Sequence, residues 1–178
     1  MIRNSTFLIL FFFFNTSGFA LQLPKSLLKK TTKAIVKTFE VKEVALEAIV
    51  INETVQQKLI HKIGANNLFK IISNQKMIGY AYVDKALSKT DEFVYLILLD
   101  LNLIIKSTKV LVYREDYGGE IGSRRWLNQF KGKSYQDKLK YEKNIIAISG
   151  ATISARAMTR AVNAFLKNII ILKENNLL

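Results

Sequence analysis

The spacing of hydrophobic positions along the chain predicts helices at both ends of the sequence. Apolar residues alternate with regularly spaced lysines over residues 27–39, which predicts a basic amphipathic helix. Residues 54–63 predict a second helix, whereas residues 41–51 are rich in Val and Ile and fit either a helix or a strand. Apolar side chains recur every fourth position over residues 153–172, which predicts a long C-terminal helix.

The middle of the chain has the composition of β-strands. Residues 68–73 and 77–83 are apolar and β-branched or aromatic, and three polar residues separate them, as in a hairpin. Residues 92–99 and 103–113 form a second pair of the same kind. Residues 68–113 therefore predict an antiparallel meander of about four strands.

Glycines are concentrated after this meander. Three glycines fall within residues 118–122, and a short helix is predicted over residues 123–130, followed by a charged loop. Residues 144–148 predict a last strand before the C-terminal helix. The expected fold is α+β, with a twisted, half-barrel-like antiparallel sheet flanked by helices and a long C-terminal helix.

The first residues of the chain resemble a targeting signal. Residues 7–14 form an apolar block that is shorter than the roughly 20 residues a membrane-spanning helix needs, and small residues follow it up to Ala20. We therefore expect a signal peptide over residues 1–20 that is cleaved near Ala20, the alternative being an uncleaved anchor. The remainder is predicted to be an N-terminal helical segment, residues 21–67, packed on one domain, residues 68–178.

The amino-acid composition excludes several kinds of metal site and catalytic nucleophile. The chain has 178 residues, no cysteine and a single histidine, His61, so thiolate metal sites, cysteine nucleophiles and histidine-rich metal sites are excluded. His61 is expected to be solvated or half-buried on the second helix. The net charge of +13 suggests an anionic partner, the alternative being a basic background without function. Export argues against nucleic acid as that partner.

Residues 149–154 read Ser-Gly-Ala-Thr-Ile-Ser at the predicted start of the last helix. Unpaired N–H groups and the helix dipole favour an anion at such a position. Ser149 or Thr152 is expected to cap the helix, Gly150 permits a tight turn and Ala151 leaves room. No Asp or Glu lies in the first turn. The segment thus fits either a well-capped helix or a phosphate site.

These residues resemble the flavin-attachment motif of the FMN-binding domain, a family that includes subunits of the Rnf and Nqr redox complexes and small exported flavoproteins. Three further stretches resemble the same family in the same order: residues 78–81, Ile-Gly-Tyr-Ala; residues 112–118, Val-Tyr-Arg-Glu-Asp-Tyr-Gly; and residues 126–133, Trp-Leu-Asn-Gln-Phe-Lys-Gly-Lys. The resemblance implies FMN as cofactor and a flavin transferase that joins its phosphate to Thr152 as a phosphoester.

The resemblance and the residue chemistry together define a predicted cofactor site. Gly118 and Gly119 would let the backbone approach the flavin, and Glu115 would order the glycine loop, residues 118–122, or pair with an arginine. Arg124 and Arg125 are candidate phosphate partners or else a solvated face. Aromatic side chains would cover the flavin ring or else pack in the core. The predicted cofactor-binding residues are Thr152, Ser149, Gly150, Ala151, Ser154, Glu115, Gly118, Gly119, Tyr80, Trp126, Arg124 and Arg125, with Tyr117 as a further aromatic candidate and no metal ligand.

The function expected from these features is that of an exported, periplasmic or outer-face FMN-binding flavoprotein. It would relay electrons with a membrane or periplasmic redox partner, in peripheral contact with an anionic membrane, rather than act on its own substrate. An alternative is a flavin-less member that serves as a basic binding module for anionic envelope components. Ile146 favours this alternative because the family motif usually has Asp there. A hydrolase is disfavoured because no nucleophile accompanies His61.

Overall fold

A computed structural model describes residues 23–178 of the chain. The expected signal peptide lies outside the described residues. Among the helices of residues 23–178, none is both long enough and apolar enough to cross a membrane.

A five-stranded antiparallel sheet forms the centre of the fold, with the strands in sequence order. The strands are β1 (Ala45–Ala48), β2 (Leu68–Ser73), β3 (Lys76–Leu87), β4 (Glu92–Leu99) and β5 (Ile105–Val112). The predicted meander is confirmed, and β1 adds a fifth strand from the segment that fitted either a helix or a strand. The sheet is open, since β1 and β5 form its two edges.

Within residues 23–178, four α-helices and two short 3-10 helices accompany the sheet. The α-helices are α1 (Lys25–Phe39), α2 (Glu53–Gln56), α3 (Arg124–Leu127) and α4 (Thr152–Glu174). The 3-10 helices, η1 (Gly119–Gly122) and η2 (Asn128–Phe130), flank α3. The predicted α+β class, the basic first helix and the long last helix are confirmed.

Both faces of the sheet are covered, which explains why β4 is apolar at nearly every position. On one face α4 packs against the strands, and the ring of Phe165 stacks on that of Tyr82 with 4.0 Å between centroids. On the other face α1 contributes Ala34 and Ile35 to a second cluster that includes Leu96. Alternate residues of β4 therefore serve different cores, as expected for a strand buried on both sides.

The helix predicted over residues 54–63 is too long, because α2 ends at Gln56. The Gln56 amide instead bonds the backbone of Ile63, accepting from its N–H at 3.1 Å and donating to its carbonyl. Asn168 of α4 accepts from the N–H of Ile60 at 2.8 Å and donates to the carbonyl of His61 at 2.7 Å. Side chains thus satisfy backbone groups that a helix would have paired.

His61 consequently lies outside any helix. Its imidazole is exposed, and Nε2 lies 3.1 Å from Oδ2 of Asp84. The expected solvation of this side chain is confirmed, but its expected helical setting is wrong.

The strand predicted over residues 144–148 is also wrong. Only an isolated bridge between Tyr141 and Ile145 occurs in this segment. The next residue, Ile146, has its backbone bound by side chains rather than by a neighbouring strand, with its N–H 2.7 Å from Oε1 of Gln129. The segment nevertheless leads to the turn that precedes α4.

Candidate functional site: the entrance of the C-terminal helix

The start of α4 has an unusual construction. Gly150 adopts a left-handed conformation with φ of 80°, and Ala151 occupies the N-cap position with no side chain bonded to the helix N–H groups. The expectation that Ser149 or Thr152 caps the helix is therefore wrong, because Ala151 takes the position from which a capping side chain would act. Both hydroxyl residues are exposed. The helix entrance thus keeps N–H groups that are not bonded to a capping side chain, with no acid in the first turn.

Gly118 brings the glycine loop against this entrance. Its φ is 89°, and a Cβ there would lie 2.4 Å from Oη of Tyr113 and 3.6 Å from the carbonyl oxygen of Gly150. Any other residue would therefore be strained and would collide with the tyrosine. Gly119, by contrast, has open space around the position of a Cβ. Gly118 thus packs closely against the protein's own helix entrance, and the predicted approach of Gly118 and Gly119 to the flavin stays a prediction.

Three hydroxyl groups lie beneath the entrance. The Oγ atoms of Ser88 and Ser154 are 2.8 Å apart, and Oη of Tyr113 lies 3.1 Å from each. Tyr113 Oη also donates to the carbonyl of Tyr117 at 2.9 Å, which fixes the glycine loop. Ser154 was predicted as a site residue, whereas sequence reasoning did not assign Ser88 or Tyr113 to the site. Their isolated positions in a turn and at a strand end give no pattern that would identify them.

Glu115 orders a different turn from the one expected. Its Oε1 accepts from the backbone N–H groups of Thr90 at 2.7 Å and Asp91 at 2.9 Å, in the connection between β3 and β4. These backbone hydrogen bonds lower the pKa of the Glu115 carboxyl from 4.5 to about 2. Glu115 therefore stabilises the β3–β4 turn beside the glycine loop, and its closest partners are backbone groups of that turn rather than an arginine.

A cavity of about 260 Å³, here called the entrance cavity, lies over these groups. Thr152 and Ile153 are exposed at the helix start that borders it. Lys89 is the cation among its lining residues, and sequence reasoning missed this residue because it stands in an ordinary polar turn. The lining residues are Ser88, Lys89, Tyr113, Glu115, Tyr117, Gly118, Gly150, Ala151, Thr152, Ile153 and Ser154.

A second cavity of about 490 Å³, the tryptophan cavity, lies on the Ser149 side of the motif. The indole N–H of Trp126 donates to the carbonyl of Ile146 at 2.8 Å, and its ring packs edge-on against Phe130 at 5.2 Å between centroids. Trp126 is buried, whereas the Ile146 side chain is 73% exposed. The cavity is lined by Glu120, Ser123, Arg125, Trp126, Gln129, Ile146, Ala147, Ile148 and Ser149.

The remaining predicted residues are dispersed. Arg125 lines the tryptophan cavity, whereas Arg124 lines a separate groove beside β5. Tyr80 is buried in the core, where burial raises its pKa, and it lines neither the entrance cavity nor the tryptophan cavity. Tyr117 is 85% exposed at the rim of the entrance cavity. The structure thus brings most of the motif and the glycine loop together, but not both arginines.

The donors at this entrance fit a flavin phosphate better than a metal ion. N–H groups, hydroxyls and Lys89 are hydrogen-bond donors of the kind that phosphate accepts from. Within residues 23–178 no group of three or more His, Asp or Glu side chains is arranged to hold a metal.

A comparison with known proteins relates part of the chain to a protein family. No curated protein matches the chain significantly. The family model of the FMN-binding domain matches residues 90–167, a range that includes the glycine loop, Trp126 and the first four turns of α4. Residues 90–167 thus match the FMN-binding domain family, which supports FMN as the cofactor of this chain.

Proposed function

We propose that this protein is an exported electron carrier whose FMN is anchored by its phosphate at Thr152, where α4 begins. The observation that carries the proposal is the exposed Thr152 on a helix start without a side-chain cap, facing a cavity lined by hydrogen-bond donors. A phosphate there would gain the helix dipole and free N–H groups.

Covalent attachment is consistent with the setting of Thr152. The residue is exposed, and no side-chain hydrogen bond to the helix N–H groups occupies its hydroxyl. A transferase would therefore reach Oγ1 without unfolding the helix. The hydroxyl would lose its proton as its oxygen forms the bond to the flavin phosphorus, while the bond from that phosphorus to the nucleotide leaving group of a flavin dinucleotide donor breaks.

The rest of the cofactor requires an apolar surface beside the phosphate. Ser149 lines the tryptophan cavity and Gly150 lines the entrance cavity, so the motif connects the two. The exposed side chain of Ile146 and the half-buried Ile148 offer apolar contacts for a ring system there. When bound, FMN supplies the one- and two-electron redox chemistry, and the protein positions it and tunes its potential.

An electron carrier suits the site better than an enzyme with its own substrate. The carboxylate of Glu115 is engaged by the β3–β4 turn, and the hydroxyls of Ser88, Tyr113 and Ser154 bond one another. These groups are committed to structure, which leaves no paired acid and base facing the entrance cavity. We infer that electrons pass between FMN and separate redox partners.

The proposal is tested by co-expressing the full chain with a flavin transferase in an exporting host. We expect flavin fluorescence to remain with the polypeptide on a denaturing gel. Thr152→Ala should remove this fluorescence, whereas Thr54→Ala, at an exposed threonine in α2, should retain it. Fluorescence that persists in Thr152→Ala would refute the anchor. A colourless protein would favour the flavin-less alternative.

The carrier role has a separate test. The loaded protein, reduced anaerobically, should be reoxidised rapidly by one-electron acceptors and by quinones without any added substrate. Export is checked in the same host by fractionation, with a mature chain outside the cytoplasm expected. A flavin that reoxidises only when a small-molecule substrate is supplied would contradict the carrier role.

A further inference from the structure

A strongly cationic groove lies beside the edge strand β5, apart from both cavities of the flavin site. Its volume is about 620 Å³, within the range typical of ligand sites. The end of α1, strand β5 and the segment α3–η2 each contribute basic residues to it. These are Lys37, Lys106, Lys109, Arg124 and Lys131.

The groove contains few compensating charges. Glu40 is the single carboxylate among its lining residues. Within residues 23–178, none of the five cations forms an ion pair within 4.0 Å of a carboxylate. Lys106 does lie over the ring of Phe39, with its Nζ 5.7 Å from the ring centroid.

The cations are close enough to repel one another. Partial burial, together with the positive charges of Lys37 and Arg124, lowers the pKa of Lys109. Folding therefore brings together like charges that the chain does not neutralise. Such an arrangement costs stability unless an anion binds there.

The polar groups of the groove suit phosphate. Arginine presents a planar fork that matches phosphate oxygens, and lysines act as point charges around it. Neutral donors accompany them in Thr38, Ser107 and Asn128. Lys106 and Lys109 are three residues apart on β5, so their backbones are about 10 Å apart, a span better matched by a ligand with more than one anionic group.

We propose that the groove formed by Lys37, Lys106, Lys109, Arg124 and Lys131 binds a ligand carrying phosphate groups, either a soluble polyphosphate or the headgroups of anionic phospholipids. The site does not depend on the flavin, since none of these residues lines the entrance cavity or the tryptophan cavity. Arg124, which the sequence suggested as a partner for the flavin phosphate, thus serves a second phosphate site.

The test measures calorimetric binding of sodium tripolyphosphate to the full chain. Lys109→Gln/Arg124→Gln should weaken binding by about tenfold or more, because it removes two charged contacts from the site. The matched control Lys58→Gln/Lys76→Gln changes net charge equally at exposed lysines outside the groove and should bind within about twofold of the parent. Equal weakening in both variants, or no binding by the parent, would overturn the proposal.

Folding of the variant is checked by its melting temperature. Without tripolyphosphate, Lys109→Gln/Arg124→Gln should melt no lower than the parent, because it relieves repulsion. A second variant, Lys106→Gln/Lys131→Gln, changes two exposed groove lysines and should weaken binding similarly. Unchanged binding in this folded variant would also count against the site.

Vesicle flotation distinguishes the two sources of phosphate. Phosphatidylcholine vesicles with and without phosphatidylglycerol are the probes. Release from the anionic vesicles by tripolyphosphate would identify lipid headgroups as ligand, whereas tripolyphosphate binding without flotation would identify a soluble ligand. Anionic vesicles that bind the parent and Lys109→Gln/Arg124→Gln equally would show that lipid binding does not use the groove, and would overturn the lipid form of the proposal.

Discussion

Gly118 and Gly150 are two glycines whose backbone conformations shape the entrance cavity. Both have φ near 80–90°, and their backbones meet where the glycine loop contacts the start of α4. The sequence predicted glycine-dependent backbone approach at Gly118 and Gly119 together. It could not tell that only Gly118 needs to be glycine, because that depends on the distant hydroxyl of Tyr113.

Replacing Gly118 by alanine should therefore destabilise the protein. A positive φ and a Cβ placed 2.4 Å from Tyr113 Oη should lower the free energy of unfolding by about 1–3 kcal/mol and loosen flavin binding. Gly119→Ala is the matched control and should cost about 1 kcal/mol or less, since its Cβ meets open space. Urea unfolding of both variants measures the difference, and equal losses would contradict the packing described.

The lowered pKa of Glu115 predicts that the stability of the protein depends on pH in the acid range. Its pKa falls from 4.5 in the unfolded chain to about 2 in the folded protein, so the ionised carboxylate stabilises the fold above about pH 4.5. This contribution should be lost as the pH falls from about 4.5 to about 2. Glu115→Gln should lower the melting temperature at neutral pH. The melting temperature of this variant should also fall less steeply than that of the parent as the pH drops from about 4.5 to about 2.

The matched control for Glu115 is Glu174→Gln at the exposed end of α4. It should leave the pH profile of the melting temperature close to that of the parent. A Glu115→Gln profile parallel to the parent's across the acid range would refute the proposed role of the backbone hydrogen bonds.

Ile146 allows the family motif to be restored. Its side chain is 73% exposed, and its backbone rather than its side chain is bonded to Trp126 and Gln129. Ile146→Asp should therefore fold normally. If the transferase recognises an acid there, as the family resemblance implies, the variant should incorporate a larger fraction of covalent flavin in mass spectra of co-expressed protein. Lower incorporation in a folded variant would contradict this.

At the scale of elements, the sequence predicted what local periodicity determines. The meander of β2–β5 and the helices α1 and α4 follow from hydrophobic spacing and were predicted nearly at their observed bounds. Two predictions were wrong: the helix through residues 57–63 and the strand over residues 144–148. In the first segment Asn168 binds backbone groups, and in the second Gln129 does so, in place of the backbone pairing that local patterns imply. Long-range contacts of this kind have no signature in a single sequence.

Gln129 is accordingly predicted to hold the segment that leads to Thr152. Gln129→Ala removes a hydrogen bond from the Ile146 N–H to Oε1, 2.7 Å long, and should lower the free energy of unfolding by about 1–2 kcal/mol. Flavin loading should fall as the helix entrance becomes less ordered. Gln136→Ala, in the exposed loop before α4, should change neither quantity. Parent-like loading and stability in Gln129→Ala would contradict this role.

At the scale of the whole molecule, the two proposed binding sites occupy different parts of the fold. The proposed flavin site lies where the β3–β4 turn, the glycine loop and the start of α4 meet, whereas the cationic groove lies along β5 and the end of α1. The sequence indicated an anionic partner from net charge alone. Only the fold shows that five of the basic residues converge, because they come from three separate parts of the chain.

Whether the exported chain carries FMN at Thr152 is measured most directly by the intact mass of the natively expressed protein, combined with peptide mapping. We expect a chain that begins near Leu21 and carries the added mass of one FMN less one water, located on the peptide containing Thr152. A colourless protein whose mass equals that of the polypeptide alone would contradict it.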